Sequence, residues 1–386
     1  MKKSSLLFCQ LAQKIFQASG FWERKRLSEE LIQKIQYRLT KSDDSSLEEA
    51  LNFLADEMPA AHDILADLVE AASEKPKEKQ AFKNADCQLI AIPILAWSRY
   101  SLPFGKLEND FLRDFSALLF KHNTSPQIQH IVLADVLFAP DELPQNFETI
   151  AKWSHLLREK FLQHKGQARY SICDFPSQNE EENDFLSDVR FVVALLVAPK
   201  NAPFFVWETD PKLTRDAALH IWQTESKKLL DSIFIGAHYE SWLPSSCNAA
   251  CRESDLKSRA YSLNAAISFL KTTLNILPEQ MRVIVAYCFN KENEEYRISL
   301  ATRNGHILYG VVWPMLPGEN DEDEALLNIQ QIAKNHRILD FTFLPERQPI
   351  EFCDDCGLPL FPNLSGEFLH PQMPQNAPMM GESVLN

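Results

Sequence analysis

Leu89-Ile-Ala-Ile-Pro-Ile-Leu-Ala-Trp97 is the stretch on which the fold turns. It is a short, uncharged apolar run, far below the roughly 20 residues of a membrane span, and it predicts a buried strand. Everything before it reads differently. Leu7, Leu11 and Ile15 fall on one helical face, and Leu27, Leu31, Ile35 and Leu39 repeat every fourth residue as a core-facing stripe does. Ser45 and Glu48 have capping-box spacing at the start of a third helix through Leu47, Leu51 and Leu54, and Ile64, Leu65, Leu68 and Val69 mark a fourth. The charged run from Ser73 to Lys79, interrupted by Pro76, predicts a linker.

After the run, strands and amphipathic helices alternate. A helix is predicted over Leu107–Phe120, a strand over Ile128–Phe138, a helix over Phe147–Leu162, and strands over Arg190–Ala198 and Phe204–Trp207. A helix over Arg215–Leu230 and a strand over Ser232–Tyr239 complete this block. A second block carries a helix (Leu256–Leu274), three strands (Arg282–Phe289, Tyr296–Thr302, His306–Trp313), a helix (Asp323–Asn335) and a strand (Ile338–Leu344). The expected architecture is an α+β multidomain chain. It has a helical module (1–80), two α/β sandwich-like units (81–245 and 246–350), and a C-terminal Cys-x-x-Cys knuckle with its tail (351–386).

Composition narrows the function. The net charge of −14 disfavours DNA and anionic membranes, since polyanion binders need a cationic surface. The first 41 residues run against this: nine cations, Lys2 to Lys41, oppose Glu23, Glu29 and Glu30. That excess reads as a solvated helical face or an internal dock for the acidic body, with RNA contact as the rival. Ten glycines leave little material for phosphate-cradling loops. The leader-like start Leu6-Leu7-Phe8-Cys9 is broken by Gln10, Gln13 and Lys14, so a cytoplasmic protein is expected, with its eight cysteines as thiols or metal ligands.

The sharpest local signal is Cys353-Asp354-Asp355-Cys356-Gly357. Two thiolates three positions apart, with a glycine after the second, suit one half of a tetrahedral zinc site. Completion falls to Cys247 and Cys251, or to His370. Pro359 and Pro362 disfavour the helix that a thioredoxin-type pair would begin. Ser254 and Lys257 have a Ser-x-x-Lys spacing but lack the companion motifs of hydrolases, and Ser254 reads as a helix cap. Isolated histidines such as His220 and His238 read as structural residues.

Four segments together carry a resemblance: Leu89 to Tyr100; Ala250-Cys-Arg-Glu-Ser-Asp255; Tyr309-Gly-Val-Val-Trp-Pro314; and Cys353 to Pro362 with Gly366, Glu367 and His370. Over essentially its whole length the chain resembles the betaproteobacterial family catalogued as domain of unknown function number 2863. The resemblance implies a bacterial cytoplasmic protein and no assigned activity. It also implies that Cys251, Cys353, Cys356 and His370 belong to the family pattern while Cys247 does not, so Cys251 with His370 completes the metal set.

The leading expectation is a non-catalytic binding or regulatory protein with structural zinc as its cofactor. Its partner would be a protein or a small molecule. The alternatives are an enzyme with a pocket between the two α/β units, and RNA contact through the basic N-terminal helices.

Overall fold

The computed structural model describes residues 1–18, 21–41, 45–73, 85–98, 102–144, 147–163, 169–175, 187–291, 293–316 and 322–372. The linker expected around Pro76, and Arg99 and Tyr100, lie outside these residues. The chain divides into two compact units, Met1–Ser254 and Asp255–Asn386. Among the described residues no helix is long and apolar enough to cross a membrane.

The first unit opens with four helices: α1 (Lys3–Gln17), α2 (Phe21–Thr40), α3 (Ser45–Glu57) and α4 (Pro59–Ser73). Their three- and four-residue apolar spacing converges on one core. Phe8, Leu11 and Ile15 meet Leu31, Ile35, Leu47, Leu54, Leu65 and Val69, all buried. Pro59 stands at the first position of α4, where a missing N–H costs nothing.

A seven-stranded sheet follows, built from β1 (Ala85–Trp97), β2 (Gly105–Lys106), β3 (His130–Phe138), β4 (Tyr170–Cys173), β5 (Ser187–Pro199), β6 (His238–Ser241) and β7 (Ser245–Ser246). The spatial order is β2-β3-β5-β1-β6, with β4 beside β3 and β7 beside β1. Strands β1 and β5 pair antiparallel along their full lengths, Ala85 facing Pro199 and Trp97 facing Ser187. Proline is rare in a central strand because it cannot donate to the ladder. Pro93 is tolerated where the partner on that side is interrupted: β6 ends at Ser241 opposite Ile94, and β7 resumes at Ser245 opposite Ala91.

Helices cover both faces. Ile90, Ile92, Ile94, Val192, Ala194, Ile131 and Leu133 pack against α5 (Asn109–His122) and α7 (Arg215–Leu230), with Phe115 edge-on to Trp222 at 5.6 Å. Alternation sends Phe138 and His130 to the other face, where they touch Trp153 and Phe161 of α6 (Phe147–Gln163) at 5.0 and 4.9 Å. Helix α6 carries the crossover between β3 and β4, the parallel pair of this sheet.

Three local expectations are corrected. Phe204–Trp207 is no strand: Phe205 makes a single bridge to Thr124, and the Glu208 carboxylate accepts the N–H groups of Phe204 and Phe205 at 2.9 and 3.0 Å, closing a 3-10 turn. Ser232–Tyr239 begins as a continuation of α7, because Ile233 and Phe234 still donate to Leu230 O, and the strand starts only at His238. The helix expected from Leu256 begins at Cys247, so Cys247 and Cys251 occupy the first two turns of α8 (Cys247–Thr272) rather than a segment ahead of it.

The second unit contains the remainder of α8, β8 (Met281–Phe289), β9 (Glu294–Thr302), β10 (Ile307–Pro314), α9 (Glu322–Asn335), β11 (Asp340–Pro349), β12 (Phe361–Pro362) and β13 (Phe368–Leu369). Its main sheet runs β10-β9-β8-β11, antiparallel except for β8 with β11. The β9–β10 hairpin turns through Gly305, whose φ of 89° lies in the left-handed region. One sheet face takes α8: Arg259 lies 5.3 Å over the Trp313 ring and donates to Pro314 O at 3.0 Å. His336, just after α9, hydrogen bonds Asn264 of α8 at 2.8 Å.

Candidate functional site: the C-terminal knuckle and its seat

Strand register assigns Glu295, Arg297, Ser299, Ala286, Ile284, Gly310 and Val312 to the face of the second sheet away from Trp313. Here the chain covers the sheet with its own tail. Arg297 is buried to 1% exposure, and its Nη1 donates to Leu360 O at 3.1 Å and to Glu351 O at 3.4 Å. Its Nε donates to Glu295, and its guanidinium lies 5.1 and 5.6 Å from the rings of Phe352 and Phe361. An arginine cannot shed its proton, so this burial requires the full set of partners it has. Ser299 Oγ donates to Pro362 O at 2.6 Å, and Gln372 N–H donates to Ile307 O at 2.9 Å. Gly310 leaves room for the Phe361 ring; a Cβ there would sit 2.2 Å from it.

The two carbonyls gripped by Arg297 bracket the Cys-x-x-Cys turn. Leu360 N–H closes on Glu351 O at 3.1 Å, Cys353 N–H on Leu358 O at 2.8 Å, and Gly357 N–H on Cys353 O at 2.8 Å, with Gly357 at φ 70°. Inside this hairpin the backbone N–H groups of Cys356 and Asp355 point at Cys353 Sγ and, with the Cys356 thiol, hold the Cys353 thiol below its ordinary pKa. The short β12–β13 ladder, Phe361 facing Leu369, returns the chain so that His370 Nε2 lies 3.4 Å from Cys356 Sγ. His370 Nδ1 is 2.9 Å from Pro371 O, an acceptor, so Nδ1–H donates there and Nε2 is the nitrogen that faces Cys356.

Of the four residues named by sequence, Cys356 lies beside both Cys353 and His370. Cys251 belongs to the first unit, half-buried on α8. Among the described residues no three His, Cys, Asp or Glu side chains are gathered in a metal-binding group; the knuckle holds two pairwise contacts that share Cys356. Ser254 Oγ donates to Cys251 O at 2.7 Å, a helix back-bond rather than the cap expected for it. His220 and His238 are exposed. The seat itself was missed by sequence reading. The signals available were a charged pair, Glu295 and Arg297, at period two in a strand, and a glycine within a strand, which marks close approach of another chain segment.

A second buried polar assembly lies in the first unit. Glu70 of α4 accepts the N–H groups of Cys247 (2.8 Å) and Asn248 (3.2 Å), capping α8 from another helix. Arg252, one turn further, bridges to Asp63 at 3.2 Å and Asp67 at 2.8 Å. Burial pushes Glu70 up to about 7, against the opposing pull of the two amides.

An α+β chain whose tail folds back as a sulfur-bearing hairpin onto a buried arginine is the class that fold and site define. It belongs to a family described as a protein of unknown function (DUF2863), whose model matches residues 1–383. No match was found among curated proteins or among solved structures.

Proposed function

We propose that this chain is a non-catalytic binding or regulatory protein whose tail is closed by a structural zinc. Cys353, Cys356 and His370 would supply three ligands. The observation that carries this reading is the Cys356–His370 pair. Zinc bonds of about 2.3 Å to sulfur and about 2.0–2.1 Å to nitrogen, at a tetrahedral angle, hold those two atoms roughly 3.5 Å apart, and here they stand at 3.4 Å. Nδ1–H is engaged by the outer carbonyl contact that metal-bound histidines use, which turns Nε2 toward the sulfur. Amide groups aimed at Cys353 favour the thiolate a metal needs. Soft sulfur with one imidazole suits zinc over magnesium or calcium. Exposed Phe352 and Leu358 on the Cys-x-x-Cys hairpin, with Leu364 in the β12–β13 turn, suit contact with a protein partner.

Elemental analysis of chelator-washed, zinc-reconstituted protein tests the reading. One equivalent is expected in the natural chain, with loss in C356S and H370A. A natural chain that retains no zinc ends the proposal.

A further inference from the structure

The inward stripe of α6 consists of Ile150, Ser154, Leu157 and Arg158, all buried, at the spacing of one helical face. Helix α6 lies against the sheet of the first unit and against α4. Two members of the stripe are polar and lack partners. Arg158 is 9% exposed, and its Nε and Nη2 are both buried with no hydrogen-bond partner; Ser154, one turn earlier and 0% exposed, has an unpartnered hydroxyl. Among the described residues no carboxylate forms an ion pair with Arg158. This contrasts with Arg190 and Arg297, the two arginines buried to 1% exposure, each of which holds a carboxylate and a main-chain carbonyl.

An unpaired buried guanidinium is among the most costly arrangements in a folded chain, and arginine cannot relieve it by losing a proton as lysine does. The two open donors are also a particular pair. Nε–H and Nη2–H lie along one edge of the guanidinium, parallel and about as far apart as the oxygens of a carboxylate or phosphate, which is the bidentate geometry that makes arginine the preferred oxyanion reader. A hydroxyl on the same stripe supplies a further donor.

We infer that Arg158 and Ser154 form a buried oxyanion-binding site, taking the carboxylate or phosphate group of a small molecule. The inference involves none of the zinc-reading residues and stands apart from it. The net charge of −14 gives anions no general attraction to the chain, so any binding would arise from this desolvated edge.

Thermal unfolding of the full chain in sodium phosphate, sodium acetate and sodium chloride at matched ionic strength provides the test. Phosphate or acetate is expected to raise the unfolding temperature of the natural chain by a few degrees over chloride, and the responding anion distinguishes a phosphate ligand from a carboxylate. R158M should lose that response and unfold in chloride no earlier than the natural chain, since a lone buried cation has been removed. If R158M does not fold, R158K serves, keeping the charge without the edge; its half-saturating anion concentration should rise at least tenfold. S154A should weaken the response less. Equal anion responses in the natural chain and the Arg158 variants, or no response in the natural chain, overturn the inference.

Discussion

Glu70 Oε1 accepts the backbone N–H of Cys247 at 2.8 Å, so a side chain of the N-terminal helices serves as the cap of a helix that starts 177 residues later. Helix N-termini leave donors to be satisfied, and no side chain of the Ser245-Ser246 segment is required when a carboxylate arrives from α4.

Replacing Glu70 by Gln should change how stability depends on pH. The folded-state pKa is about 7, raised from an ordinary value of 4.5. A raised carboxyl contributes its stability fully below the unfolded value and loses it as pH rises through the folded one. Urea midpoints of the natural chain, taken relative to E70Q, should therefore fall between about pH 4.5 and about pH 7, by on the order of 3 kcal/mol in unfolding free energy. Parallel pH profiles for the two proteins would show that Glu70 does not titrate there.

Gly310→Ala should loosen the tail, because the new methyl meets the Phe361 ring at 2.2 Å. Overpacking of this kind costs roughly 1–3 kcal/mol. In a double-mutant cycle with F361A the penalty of the added methyl should largely vanish, giving a coupling of at least about 1 kcal/mol. Strictly additive unfolding energies would contradict the seat described for Phe361.

Five of the eight thiols should divide by position. Burial pushes Cys288 up to about 12 and also raises Cys9 and Cys173, whereas Cys353 is lowered by the amides of its turn and Cys356 is exposed. Thiolate is the reactive form. Brief alkylation of folded, metal-free protein with peptide mapping should find label at Cys353 and Cys356, with Cys288, Cys9 and Cys173 labelled only after urea. Similar native labelling of the buried group would refute this division.

Much of the fold is legible in the sequence because its elements are strongly periodic. The stripe Leu27, Leu31, Ile35 and the run Leu89–Trp97 have one stable environment each, and both elements occur as read. The failures are local. Ser232–Tyr239 looks strand-like by composition, but its first residues remain tied to Leu230 O, and β4 at Tyr170–Cys173 is too short to carry a period. Of the knuckle, Cys353, Cys356 and His370 could be named in advance, since spacing and residue type mark them. Its seat could not, because Arg297, Ser299 and Gly310 acquire meaning only when register places them under residues 50 or more positions away.

The grip of the sheet on the tail is made through main-chain oxygens: Glu351 O, Leu360 O and Pro362 O receive Arg297 and Ser299. A carbonyl is common to all residue types, so this recognition is indifferent to the identity of positions 351 and 360. Evolutionary drift is thus free on one side of the contact and restricted on the other. Relatives should exchange residues at those two positions readily while keeping a guanidinium at 297, and a chain that has lost that guanidinium should have lost its folded-back tail with it.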